Sequence, residues 1–294
     1  MLKDLASKMT PRKGLACVFV AALLMSIGGL CIKVIPWHPM AINSFRSIIS
    51  SSIIFGFAKL TGHKLKMTPG VAIGAFAMCV TTILYVSANK LTTAGNTILL
   101  QFSAPVFVIL FMWLCFHEKP KKLDIITCVI VFGGIACFFL DSLGNGSLLG
   151  DSLALLSGVG YAWIFMMNKI PGGDSIFACA LGQAMGAVVG LPWLVKETQF
   201  DGQTLFAAIC LGVFALGIAY SLISWGTKYA PPVSCCLVTG IEPILNPVLV
   251  AVAIGEVLTP LSLLGGAIVF VTVMVYNVLG ARAEAREAAG AAQS

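Results

Sequence analysis

Arg46 and Glu242 are ionisable residues set inside long apolar runs, and polar side chains flank each of them at helical spacing. A charge in such surroundings is costly, so each is a functional candidate by default. Asn43 precedes Arg46 by nearly one helical turn. The planar guanidinium can hold a carboxylate or phosphate through paired N–H donors. The alternative is an arginine that snorkels or fixes helix pairing. Glu242 precedes Pro243, and Asn246-Pro247 repeats the polar–proline pair one turn later. Both prolines remove backbone donors, which predicts a kink with freed carbonyls. Cys235, Thr239, Glu242 and Asn246 share one face of that helix. Shifted back by 138 residues, the stripe reads Thr97, Gln101, Ala104 and Val108, a milder version of itself. Such faces line a cavity or bond helices to one another. Three roles stay open for Glu242: neutralising Arg46 or Lys33, binding a cationic solute, or carrying a coupling proton.

Tyr85, Tyr161, Trp163, Tyr220 and Trp225 also fall inside predicted helices. Aromatic walls with a few polar anchors are common at small-molecule sites, and Tyr85, Tyr161 and Trp163 are the favoured cavity residues. Trp37, Trp193 and Tyr229 read as anchors at the membrane interface. The substrate-binding set is thus Asn43, Arg46, Tyr85, Thr97, Gln101, Tyr161, Trp163, Thr239, Glu242 and Asn246. No catalytic residue, cofactor or metal is expected. The 10 cysteines lie in apolar runs without a C-x-x-C pair, and the 3 histidines fall in predicted loops. No Walker A pattern is present, and the intramembrane carboxylate reads as solitary, which argues against ATP coupling and against an intramembrane enzyme.

A membrane bundle must position these residues. Charged residues are 10% of the 294 and hydrophobic ones 59%, with mean hydropathy +0.98. A soluble domain carries roughly 25% charged residues. Ten apolar spans are expected, at 14–35, 40–60, 70–89, 94–116, 122–140, 148–168, 175–195, 203–226, 233–254 and 259–280. The first reads as a retained helix rather than a cleaved signal. Turn residues join the spans, and the tail 281–294 reads as small, polar and frayed or weakly helical. The net charge of +6 comes from short loops rather than from a nucleic-acid patch. Of the 18 Lys and Arg, fourteen fall in connections on the amino-terminal side and two (Lys90, Lys196) on the other, leaving Lys33 and Arg46 within or near spans. By the positive-inside rule both termini are cytoplasmic.

The chain also repeats. At an offset of 138 residues Lys90 falls on Lys228, Pro105 on Pro243 and Glu118 on Glu256. Five spans per copy is an odd number, so the second copy enters the membrane upside down. Residues 1–143 and 144–280 are then two inverted five-helix repeats, the arrangement of many secondary transporters, with a site between them. Glu118 and Glu256 follow span ends, where charge costs little, and read as helix-end and loop-pinning residues rather than solute ligands. Gly182-x-x-x-Gly186 reads as internal helix packing.

With these marks the chain resembles the drug/metabolite transporter superfamily, in its EamA-type branch of ten-helix carriers. The residues that carry the resemblance are Asn43-Ser44-Phe45-Arg46, Pro105 with Glu118, Gly150-Asp151, Ile241-Glu242-Pro243 and Gly255-Glu256. The resemblance implies a secondary carrier in the plasma membrane. Its solute would be a small metabolite, amino acid or similar amphipathic molecule, moved outward or by exchange through alternating access. Expected partners are the solute, the bilayer and a coupling proton, in a monomer or homodimer without nucleic acid. The alternative is a flippase for a lipid or lipid-linked precursor. Mixed charge at Arg46 and Glu242 suits a zwitterion.

Overall fold

Several spans begin with the same local chemistry, a side-chain cap followed by proline. Helix α1 (Pro11–Met25) starts after Thr10, whose Oγ1 accepts the Lys13 N–H at 3.4 Å. Helix α3 (Pro39–Thr61) starts after His38, whose Nδ1 accepts from Met40 N at 3.2 Å. Helix α4 (Pro69–Leu91) starts after Thr68, whose Oγ1 accepts from Val71 N at 3.1 Å. Proline loses nothing in the first turn, where its missing N–H has no intrahelical partner. The cap meanwhile satisfies a donor that hydrocarbon cannot. Asp174 caps α9 (Ser175–Leu194) and Asp201 caps α10 (Gly202–Cys210) in the same way.

The computed structural model describes residues 10–63, 65–117, 119–145, 147–165, 171–226, 229 and 238–291. The remaining helices are α2 (Gly28–Val34), α5 (Ala94–Gln101), α6 (Ala104–Phe116), α7 (Lys122–Asn145) and α8 (Leu148–Phe165), then α11 (Ala219–Gly226), α12 (Glu242–Ile254) and α13 (Pro260–Ala291). Eight stretches among the described residues are long and apolar enough to cross a membrane; α8 and α12 contribute shorter apolar segments. No strand occurs among the described residues. Large apolar side chains point outward, among them Phe76, Val188, Phe206 and Val252, the last 83% exposed. In a bilayer that surface meets lipid tails.

Four spans are not simple helices. The first divides at Ser26–Ile27 into α1 and α2, and the fourth at Phe102–Ser103 into α5 and α6. In the ninth the break falls at Gly240–Ile241, just before α12. The kink expected near Pro243 is therefore a full interruption ahead of it, since proline suits the first turn of a restarted helix. The eighth runs α10, then a π-helical stretch at Leu211–Ile218, then α11. In the other direction, α13 continues to Ala291. Of the two readings of the tail, frayed or weakly helical, the helical one fits, because Ala, Glu and Arg are strong helix formers.

Helix α9 packs on α3 and α4, α4 on α8, α7 on α13, and the π-helical stretch on α3. Close approach needs small residues. A Cβ on Gly182 would lie 2.6 Å from the Ala75 carbonyl oxygen, and one on Gly190 would lie 2.3 Å from that of Met40. The Gly182 spacing thus serves packing inside the bundle.

Candidate functional site

The breaks and the π-helical stretch meet around one narrow cavity. It holds ≈ 430 Å³ of space between atoms, lined by Met25, Gly28, Arg46, Thr81, Thr82, Tyr85, Gln101, Leu211, Ala215, Leu216, Tyr220 and Glu242. Each break brings a residue to it: Met25 and Gly28 flank the first, Gln101 precedes the second, and Glu242 follows the third. The π-helical turn adds Leu211, Ala215 and Leu216. Wider helical turns of this kind often mark functional sites.

Arg46 is 3% exposed. Its Nη2 donates to Asn43 Oδ1 at 3.1 Å and to the Thr82 carbonyl at 3.0 Å, while its buried Nε has no partner. Asn43 also donates to the Gly186 carbonyl at 3.4 Å. The arginine is therefore aimed by two neighbours and keeps unspent donor capacity. Glu242 is half-buried at the first position of α12, where the helix dipole favours a carboxylate. No ion pair joins it to Arg46 or to Lys33 among the described residues. Two groups of opposite ionisable type thus line one cavity with no ion pair between them.

Of the residues read from the sequence, Arg46, Tyr85, Gln101 and Glu242 come together here. Asn43 supports Arg46 from behind. Thr97 is buried and donates to the Thr93 carbonyl of its own helix at 2.9 Å. Tyr161 packs beside Ile54, Met78 and Ile176 rather than on the cavity. The side chain of Trp163 lies outside the described residues, as do Glu118, Cys235 and Cys236. Thr239 is half-buried just ahead of the ninth-span break. Asn246 is wholly buried, and neither amide atom has a hydrogen-bond partner. It fits only because Gly29 faces it: a Cβ there would sit 2.3 Å from its Oδ1.

Thr81, Thr82 and Tyr220 line the cavity without having been in the expected set. Their signal was faint: Thr81 and Thr82 are neutral and share the third span with Ser87 and Asn89, and Tyr220 was one of five aromatics inside predicted helices. Trp37 is not an interface anchor. It is 2% exposed, meets Phe45 edge-on and Phe200 at a tilt, and donates its indole N–H to the Gln199 carbonyl at 2.6 Å.

Nor is Glu242 the only interior carboxylate. Asp151, read from sequence as the opening of a span, is wholly buried. It accepts from Thr92 Oγ1 at 2.6 Å and from Asn96 Nδ2 at 3.3 and 3.4 Å. Asp151 belongs to a polar cluster at one end of the bundle. There Lys33 Nζ donates to the Thr92 carbonyl at 2.7 Å and lies 2.7 Å from Glu256 Oε2. Glu256 Oε1 accepts from Ala94 N at 2.6 Å, and Lys90 donates to the Ile35 carbonyl. At the same end, Asp141 accepts from Thr259 at 2.8 Å and Ser262 at 3.0 Å, and Glu197 accepts from His38 N at 2.8 Å.

Comparison with known proteins agrees with this architecture. An "Uncharacterized transporter" of Archaeoglobus fulgidus is 24% identical over 272 residues, covering 90% of this chain and 96% of its own. The "Uncharacterized inner membrane transporter YicL" of Salmonella typhimurium is 23% identical over 302 residues, covering 94% and 99%. A protein crystal structure superposes with TM-score 0.66 over 93% of this chain and 99% of its own, at 18% identity, and so shares the fold. The EamA-like transporter family matches residues 12–140 and again 148–278. With apolar spans, a charged interior cavity and two successive family matches, this chain belongs to the EamA-like transporter family, and it is a multi-pass membrane transporter of the drug/metabolite superfamily, not an enzyme.

Proposed function

We propose that this transporter carries a small amphipathic solute bearing both charges, such as an amino acid, across the plasma membrane by alternating access. The observation that supports it most is the cavity where Arg46 and Glu242 face the same space without pairing. Arg46 holds the solute's carboxylate through its remaining N–H donors, and Asn43 and the Thr82 carbonyl fix its plane. Glu242 receives the ammonium group or the coupling proton. Tyr85 and Tyr220 supply aromatic wall, and Gln101 a neutral polar contact. Thr97, Tyr161, Trp163, Thr239 and Asn246 stay in the proposed set.

The reading includes ten spans in two inverted repeats, 1–143 and 144–280, with both termini cytoplasmic. Inversion lets the copies exchange shapes, which moves a central site from one face to the other. Export or exchange is the expected direction. The narrowness of the cavity fits a conformation that must widen to admit a solute.

Proteoliposomes of purified protein, screened against amino acids and small metabolites with and without a pH gradient, test this. Saturable movement of a zwitterionic class supports the reading, and its pH response separates proton coupling from exchange. Movement of lipid with no soluble compound moved would replace it with the flippase.

A further inference from the structure

One carboxylate ties together three helix ends at the face that holds Asp151. Glu256 follows Gly255, the left-handed cap of α12, with φ 71°. Its Oε1 takes the N–H of Ala94, the first residue of α5, and its Oε2 takes the ammonium of Lys33 in the last turn of α2. Lys33 reaches on to the Thr92 carbonyl, and Asp151 holds the Thr92 hydroxyl from the far side. Both side chains of the ion pair are mostly buried, at 16% and 22% exposure, so salt screens them less than a surface pair.

The tie spans the helices that carry the cavity. Helix α5 ends at Gln101 and α12 begins at Glu242, both cavity residues. Beside the tie lies an open pocket lined by Thr93, Gly95, Pro247, Ala251, Glu256 and Leu258.

The second copy cannot repeat the arrangement. At an offset of 138 residues Glu256 corresponds to Glu118, but Ala94 corresponds to Pro232 and Lys33 to Pro171. Proline has neither an N–H nor a charge. The carboxylate is kept while both of its partners are lost.

We propose that Glu256, Lys33 and the Ala94 amide form a one-sided latch that holds this face of the transporter closed, its release being the step that opens the cavity here. This rests on the alternating-access reading above.

Hydrogen–deuterium exchange of the full chain in lipid nanodiscs tests it, with peptides covering 95–101 and 255–259 as the readout. Glu256→Gln and Lys33→Met should each raise exchange there by about tenfold. Ala94→Pro removes the amide donor and puts the ring Cδ where the N–H met Glu256, so it breaks the contact without touching either charge. Proline is tolerated at this first helical position, and the preceding Thr93 is already extended at φ −72°, ψ 151°. It should raise exchange in the same peptides and serves if either charge variant misfolds. Glu118→Gln should leave exchange at 62–72 and 171–177 within about twofold of the wild type. Unchanged exchange in all three latch variants, or equal opening from Glu118→Gln, would overturn the proposal. Uptake measured on the same preparations keeps the two readings apart: a wild type that moves no soluble solute sinks the carrier, whatever the exchange shows.

Discussion

The fourth and ninth spans are the same device built twice with different chemistry. Both interrupt at the same repeat position, Phe102–Ser103 in one and Gly240–Ile241 in the other, 138 residues apart. Both restart with proline in the first turn, Pro105 and Pro243. Both end on a left-handed cap, His117 at φ 57° and Gly255 at φ 71°, again 138 apart. The side chains differ. The ninth span presents Glu242 and buries Asn246, where the fourth has Ala104 and Val108 and offers Gln101 to the cavity. The backbone geometry of the interruptions is duplicated, while the carboxylate occurs only in the ninth span. A broken helix therefore needs only proline and a cap, whereas its chemistry is free to diverge.

That comparison predicts unequal mutant effects, and equal ones would break it. Glu242→Gln should lower solute uptake by about tenfold or more and flatten its pH dependence while the protein stays folded, because an intramembrane carboxylate is retained for function. Gln101→Ala, from the other copy, should lower uptake by only about two- to threefold, as for loss of one neutral hydrogen bond. Equal effects in proteoliposome uptake would mean that the two interrupted spans contribute alike.

Gly29→Ala comes next. Its methyl would meet Asn246 Oδ1 at 2.3 Å, and overpacking of this kind costs about 1–3 kcal/mol. Thermal unfolding in detergent should show the loss, and adding Asn246→Ala should recover most of it. No recovery would mean that something other than Asn246 demands the glycine.

The smallest effect separates the caps. His117→Gly should stabilise by about 1 kcal/mol, since a non-glycine residue in the left-handed region is strained, while Gly255→Ala should destabilise by a similar amount. Opposite shifts in unfolding temperature sharpen the comparison. Shifts of the same sign would show that the two caps are not equivalent.

Much of the site was legible because lipid makes polar residues conspicuous. Arg46 and Glu242 stand out in apolar runs for the same energetic reason that brings them to one cavity. The aromatic signal transferred less well. Tyr85 and Tyr220 line the cavity, while Tyr161 packs in the core, and a helix position alone does not say which neighbour a ring will meet. Trp37 misled for the same reason: it borders a loop, yet Phe45, Phe200 and the Gln199 carbonyl enclose it. Asp151 was missed because carboxylates at span ends are ordinarily solvated. Thr92 and Asn96, contributed by another part of the chain, bury this one.

By itself the sequence determined the solvent, the approximate spans, the 138-residue repeat and the two charges most worth attention. These follow from composition and spacing, which act through local hydrophobicity and backbone chemistry. Only the tertiary structure decided where the helices break, that Arg46 and Glu242 share a cavity without pairing, and that Lys33 goes to Glu256. Those outcomes depend on contacts between residues far apart in the chain, such as Gly29 with Asn246 or Ala94 with Glu256, and no local spacing encodes them.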